Sequence, residues 1–269
     1  MPRTRPTTAR REVMGGLAKG LEVILSFTRE QPTQTLSQVA AATGLPAATA
    51  RRCLHTLEEL GYVARSGRTF LLRPKVLELG AAYLDSMNIE AVTRNYLEDL
   101  ALRTGDSASL AVLDGTEIVY VARASLRTLL RLEAHVGSRL PAYPTSMGRV
   151  LLAGLPRERL DAYFEQARLV ALTEHTVTDR RRLERLIDDC RRQGYAAVED
   201  ELAIGVVAVA VPVVDHAGRV VAALNSSGHS KKLTRTQLVR ERLRVLQQVS
   251  QQISRELAHV PALSLSTQA

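Results

Sequence analysis

Thr49, Arg51, Arg52 and His55 fall on one face of a helix that the spacing predicts over Ala47–Leu60, opposite an apolar stripe of Ala50, Cys53, Leu54, Leu57 and Leu60. Guanidinium forks match guanine edges in the major groove of DNA, and Thr and His side chains meet base edges or phosphates. The face therefore carries the chemistry of a DNA reader. Arg65 and Arg68 follow on a predicted hairpin, where they would contact phosphate or the minor groove. A solvated helix without function also turns basic residues outward, so the surrounding elements have to separate the two readings.

Those elements have helix-turn-helix spacing. A shorter helix begins at Leu36, runs to Thr43 and is halted by Gly44. Counted from Leu36, Ala40 is the small residue where two helices would cross, and Gly44 takes the positive φ of the tight turn. Val39, Leu45, Ala50 and Cys53 fill the contact. The apolar positions Leu17, Leu21, Ile24 and Leu25 predict a preceding helix that ends near Arg29. Tyr62-Val63-Ala64 and Thr69–Leu72 around a Ser66-Gly67 turn predict a β-hairpin wing.

Charge agrees with this placement. The chain carries 36 basic and 28 acidic residues, a formal net charge of +8. Residues 1–75 hold 12 of the basic and 5 of the acidic groups, so the other 194 residues are close to neutral. A polyanion-binding segment fused to a neutral domain has this distribution.

A second candidate lies at Pro144–Ala153, a loop running into a helix that Thr145 or Ser146 would cap. Unpaired N–H groups at such a helix start, aided by its dipole, hold a carboxylate without a charged side chain. An ordinary capped helix has the same residues, and this stretch alone leaves both readings open.

Enzyme chemistry finds little support. His55, His135, His175, His216, His229 and His259 form no metal-binding pair, no Gly-x-Ser-x-Gly elbow or phosphate loop occurs, and Asp188-Asp189 and Glu199-Asp200-Glu201 suit solvated surfaces. Neither a metal nor a cofactor is expected. Cys53 and Cys190 give no disulfide framework and fit a reducing cytoplasm. No apolar run reaches 18 residues and no secretory signal opens the chain, so no membrane role is expected.

The expected organisation is a basic arm at 1–13, a winged helix-turn-helix at 14–75, a linker-helix region at 76–96, a larger domain at 97–260 and a tail at 261–269. In the larger domain, strands at Ala108–Leu113 and Glu117–Arg123 flank Asp114-Gly115, and strands at Ala208–Val214 and Val220–Asn225 flank Asp215–Gly218. Helices are expected near Ile89–Thr104, Met147–Leu155, Leu160–Gln166, Arg180–Gln193 and Arg235–Ala258. Hairpins with helices between them indicate an antiparallel α+β domain.

Four segments resemble the IclR family of transcription regulators: Gly15–Leu25, Leu45–Leu54, Gly105–Asp114 and Arg139–Arg149. Within it they are most similar to the PcaR/PcaU/PobR branch, which controls protocatechuate, 4-hydroxybenzoate and β-ketoadipate catabolism. The resemblance spans roughly residues 14–258. It implies a winged helix-turn-helix, a dimerising linker helix and an effector domain with a six-stranded antiparallel sheet of GAF/profilin-like type. It also implies a sequence-specific regulator bound to double-stranded operator DNA as a homodimer or dimer of dimers, and controlled by a small carboxylate. An effector domain that only oligomerises, or a regulator of another carbon source, is the alternative.

Carried over by position, the effector pocket contains Ser146, Met147, Gly148, Ala208, Asn225 and Ser227, with Arg131 as a further candidate for the carboxylate. The chain departs from its branch at Gly205-Val-Val-Ala-Val-Ala-Val-Pro212, where many members read Gly-Leu-Arg-Ser-Ile-Ala-Val-Pro. An Arg and a Ser thus become Val207 and Ala208, which predicts a more apolar pocket or sheet surface. Effector binding would change the spacing of two winged helices through the linker helix Val76–Leu84, on half-sites about one helical turn apart.

Overall fold

The computed structural model describes residues 13–125 and 134–257, so nearly all of the expected arm, the tail and Arg131 lie outside the described residues. The chain divides into two compact units, Met1–Ala81 and Ala82–Ala269.

In the smaller unit α1 spans Gly15–Leu25 and stops short of the expected Arg29. There the Ser26 hydroxyl donates to the Val23 carbonyl at 2.8 Å, and the Ser26 carbonyl accepts from Gln34 Nε2 at 2.7 Å. These bonds turn the chain into β1, Thr33–Thr35. Thr35 then caps α2 (Leu36–Thr43) in a reciprocal capping box with Gln38. Gly44 takes φ 65° between α2 and α3 (Ala47–Glu59), as the turn requires. β2 (Val63–Ser66) and β3 (Thr69–Leu72) form the wing in a sheet of order β1-β3-β2. Its turn is Gly67-Arg68, one residue beyond the expected position, because Ser66 pairs with Thr69. Val23, Ile24, Val39, Ala50, Leu54, Leu57, Val63 and Phe70 make the core. Leu60, expected in the buried stripe, is instead 52% exposed.

A 3-10 turn at Pro74–Val76 leads into α4, Leu77–Met87, and Asn88 at φ 49° separates it from α5, Ile89–Thr104. The larger unit is built on β4 (Ser107–Asp114), β5 (Glu117–Ala124), β6 (Arg139–Pro141), β7 (Ala196–Glu199), β8 (Val206–Val214) and β9 (Val220–His229). All pairs are antiparallel, in the order β6-β5-β4-β9-β8-β7. The expected α+β architecture and six-stranded sheet are thus present. The edge strands β6 and β7 were not expected, since three or four residues give too short an alternation to register. The remaining helices are α6 (Ser146–Ala153), α7 (Arg157–Gln166), α8 (Arg180–Gln193) and α9 (Arg235–Leu257).

The sheet has two unlike faces. Towards α5 and α9 it turns Leu110, Val112, Val207, Val209, Val211, Val213 and Leu224. Burying each such side chain contributes roughly 1.5–3 kcal/mol, so this face supplies most of the sheet's adhesion. Towards α6 it turns Ala111, Ala210 and Ala223. Small residues let α6 approach closely, and all eight of its residues are buried. The approach also fixes Gly148, because a Cβ there would stand 2.0 Å from the Ala142 carbonyl oxygen.

Candidate functional site

On α3, Arg51, Arg52 and His55 are exposed and point away from the core, with His55 Nδ1 3.6 Å from a Glu58 carboxylate oxygen. Thr49 is half-buried and lies on the flank of α3, where it lines an apolar groove with Leu17, Leu21, Cys53 and Leu60. Arg65 and Arg68 are exposed on the wing. Arg65 folds back on its own hairpin, donating from Nε to the Gly67 carbonyl at 2.9 Å and lying 5.8 Å from the centre of the Phe70 ring. All six side chains belong to one compact unit.

The second site lies between the sheet and the start of α6. The Thr145 hydroxyl accepts from Gly148 N at 3.0 Å, which makes Thr145 the cap and leaves Ser146 as the first helical residue. Beside it is a cavity of about 40 Å³ lined by Ser146, Met147, Ala208, Asn225 and Ser227 among others. Five of the positions carried over from the resemblance therefore meet at one cavity. Gly148 does not line it and serves the contact with Ala142 instead. Arg131 lies outside the described residues. The two departures from the branch separate: Ala208 lines the cavity, whereas Val207 is buried on the opposite, α5/α9 face.

Two cross-strand rows make the floor. One runs Arg123, Ser109, Asn225, Ala210 across β5, β4, β9 and β8, and the next runs Ser107, Ser227, Ala208, Val198 across β4, β9, β8 and β7. The hydroxyl of Ser146 and Oδ1 of Asn225 are buried with no hydrogen-bond partner among the described residues. Such atoms are rare in folded proteins, because leaving one unsatisfied costs about 1–3 kcal/mol.

Arg123 was missed by sequence reasoning. Its Nη1 donates to Ser109 Oγ at 3.0 Å and its Nη2 to Ser107 Oγ at 3.2 Å. No carboxylate among the described residues pairs with it, and burial lowers its pKa. Tyr120 lines the same cavity, and burial raises its phenol pKa against the opposing pull of Arg123, so the hydroxyl stays protonated. The register explains why alternation hides this pair. Leu110 pairs with Ala122 and Ala111 with Tyr120, leaving Val121 as an extra residue. The bulge resets the pleat and aims Tyr120 and Arg123 at the same face. On an unbroken strand, residues three apart would point to opposite faces.

In the first turn of α6, Arg149 forms a buried ion pair with Glu201. It anchors the loop whose next residue, Leu202, closes one wall of the cavity. A volume of about 40 Å³ is far below the roughly 300–1,000 Å³ of pockets that hold small molecules. A ligand larger than a few waters must therefore displace lining side chains. No group of His, Cys, Asp and Glu among the described residues is arranged to hold a metal ion. No described helix is long and apolar enough to cross a membrane.

Residues 16–67 match the IclR helix-turn-helix domain, and residues 81–255 match the C-terminal domain of the bacterial transcriptional regulators IclR. The chain is 40% identical over 247 residues to the Pca regulon regulatory protein of Pseudomonas putida, covering 91% of this chain and 85% of that one. A transcriptional regulator of Rhodococcus has a crystal structure that superposes with a TM-score of 0.82 at 42% identity, over 92% of this chain and all of the other. An IclR homologue of Microbacterium hydrocarbonoxydans, solved in complex with 4-hydroxybenzoate, gives a TM-score of 0.78 at 25% identity, covering 90% of this chain and 98% of that one.

Proposed function

The chain belongs to the IclR family of bacterial transcriptional regulators, and from that premise we propose a cytoplasmic homodimer that binds operator DNA under the control of a hydroxylated aromatic acid. It is a DNA-binding regulator and not an enzyme. In our reading Arg51, Arg52 and His55 read base edges from the exposed face of α3, Thr49 contacts its flank, and Arg65 and Arg68 hold the backbone from the wing.

The observation that carries the sensing half is the pair of buried, unpartnered polar atoms, Ser146 Oγ and Asn225 Oδ1, in one cavity at the start of α6. A ligand bearing both an acid and a hydroxyl satisfies them, and the helix start favours the acid's charge. The Pca regulon protein and the 4-hydroxybenzoate complex among its relatives support the aromatic class. Because the cavity is small, the ligand binds a rearranged form more tightly than this one. That difference in affinity is what shifts the population and, through α4, the spacing of two reading helices.

Dimerisation rests on a separate feature. Leu17, Leu21, Leu60 and Leu79 line or flank a groove of about 660 Å³ on the smaller unit, and Leu17 and Leu77 are 62% and 75% exposed. A second copy of the chain covers the Leu17, Leu21, Leu60 and Leu79 side of this groove and leaves its Thr49 and Arg52 rim open to DNA.

The test is a thermal-shift panel of 4-hydroxybenzoate, protocatechuate, benzoate and β-ketoadipate on the full-length protein, with light scattering on the same sample. At a hundred times Kd a native-state ligand stabilises by about 2.7 kcal/mol, so at least one hydroxylated aromatic acid should raise Tm by several degrees. The scattering mass should be near twice 29.5 kDa. A flat panel would overturn the sensing role, and a monomer at micromolar concentration would overturn the dimer.

A further inference from the structure

Among the described residues no carboxylate answers the charge of Arg123. Arg123 is half-buried, and a guanidinium that gives up part of its hydration gains from a carboxylate or an equivalent set of acceptors that replaces the lost water. Among the described residues it meets only the hydroxyls of Ser107 and Ser109, which are neutral acceptors. Both come from alternate positions of β4, on the cavity side of the sheet. These two bonds use one N–H from each terminal nitrogen and hold the fork in a fixed plane. The guanidinium has five donors, so further N–H groups remain for a ligand. No other cation among the described residues lines the cavity, and the neighbouring phenol of Tyr120 is held protonated by burial.

The remaining lining sorts by chemistry. Pro144, Met147, Leu202, Val206 and Ala208 are apolar and suit a ring. Asn225 Oδ1 is an acceptor without a donor, which a ligand hydroxyl satisfies and a carboxylate cannot. We infer that Arg123 receives the effector's carboxylate through its planar fork, while Asn225 receives a hydroxyl on the same ligand. The start of α6 adds only the partial charge of its unpaired N–H groups. This assignment rests on the reading that the cavity takes an aromatic acid. It makes Arg123 the residue that selects the ionised acid over its uncharged counterparts, because an amide or aldehyde brings no opposite charge to the half-buried guanidinium.

The test compares 4-hydroxybenzoate with uncharged 4-hydroxybenzamide by calorimetric titration of the full-length protein, for the wild type, Arg123→Met and Arg123→Lys. Hydrogen bonds to a charged group correspond to roughly a 10- to 100-fold change in affinity. The wild type should prefer the acid by a factor in that range. Arg123→Met should bring the ratio of acid to amide affinity near unity, and Arg123→Lys, which keeps the charge but loses the fork, should give an intermediate ratio. A merely structural arginine would weaken both ligands together, and an unchanged ratio in Arg123→Met would overturn the assignment while leaving the aromatic pocket standing. If Arg123→Met fails to fold, a wild-type ratio in Arg123→Lys overturns the fork just as directly. A wild type that binds neither compound would remove the aromatic reading and this assignment with it.

Discussion

The recognition helix and the effector pocket place arginines in opposite environments. Arg51 and Arg52 stand exposed on one helix, where water answers their charge. Arg123 is half-buried on one face of a sheet, set in place by hydroxyls from a neighbouring strand. An exposed reading face can be built from a single amphipathic helix, because no partner is needed to satisfy its polar groups. An enclosed pocket needs several strands in register to deliver a few unsatisfied atoms to one point. The smaller unit should therefore tolerate substitutions at its site as changes in binding alone. In the larger unit the site shares residues with the core, and function and stability should fall together.

The largest effect expected from this contrast is at Gly148. A methyl group there meets the Ala142 carbonyl oxygen at 2.0 Å and its Cα at 2.5 Å, both backbone atoms that cannot step aside. Gly148→Ala should destabilise the larger unit by about 3 kcal/mol or more, lowering its Tm by about 6–12 °C in calorimetry. An unchanged transition would show that α6 is not pinned to the sheet.

On the other side of the comparison, Arg52→Ala should leave Tm and effector binding as they are and weaken operator binding by about 1–3 kcal/mol, with specificity relaxed at one base pair. Footprint titrations at low and high salt check this. Identical footprints at both would remove Arg52 from the reading face, and a parallel loss of effector response would break the separation between the units.

The smallest effect sharpens how the reading helices are held. The Thr35 hydroxyl accepts from Gln38 N at 3.4 Å, while Gln38 Oε1 accepts from Thr35 N at 2.8 Å. Thr35→Ala should cost about 1 kcal/mol, seen as a lower urea midpoint for the smaller unit with no change in slope. A midpoint that does not move would mean that the long first bond contributes nothing and that the sheet bonds of β1 hold α2 alone.

Much of the smaller unit was legible from residues. Its helices followed apolar spacing, its turn followed Gly44, and its charge followed a count of Lys and Arg. The differences there are local: α1 ends at Leu25 rather than near Arg29, because the back-bond of Ser26 has no signature in a pattern of apolar residues. The Thr35-x-x-Gln38 capping box is a local signal for the start of α2 that the sequence does carry. In the larger unit α8, α9 and two hairpins are legible in the same way, whereas β6 and β7 are too short to be. The pocket positions came from a family resemblance, since Ser146 and Asn225 are 79 residues apart and no local pattern links them.

What the sequence by itself determined was composition along the chain: a basic, helix-turn-helix segment, a neutral α+β segment and a face of Arg and His. Local periodicity encodes these, because a helix sets its own faces by its 3.6-residue turn. Which residues meet inside the larger unit was decided only by tertiary structure. There a single unpaired residue, Val121, inverts the pleat and carries Arg123 from one face of the sheet to the other. Strand register is a relation between segments far apart in the chain, and a slip of one position exchanges core for pocket.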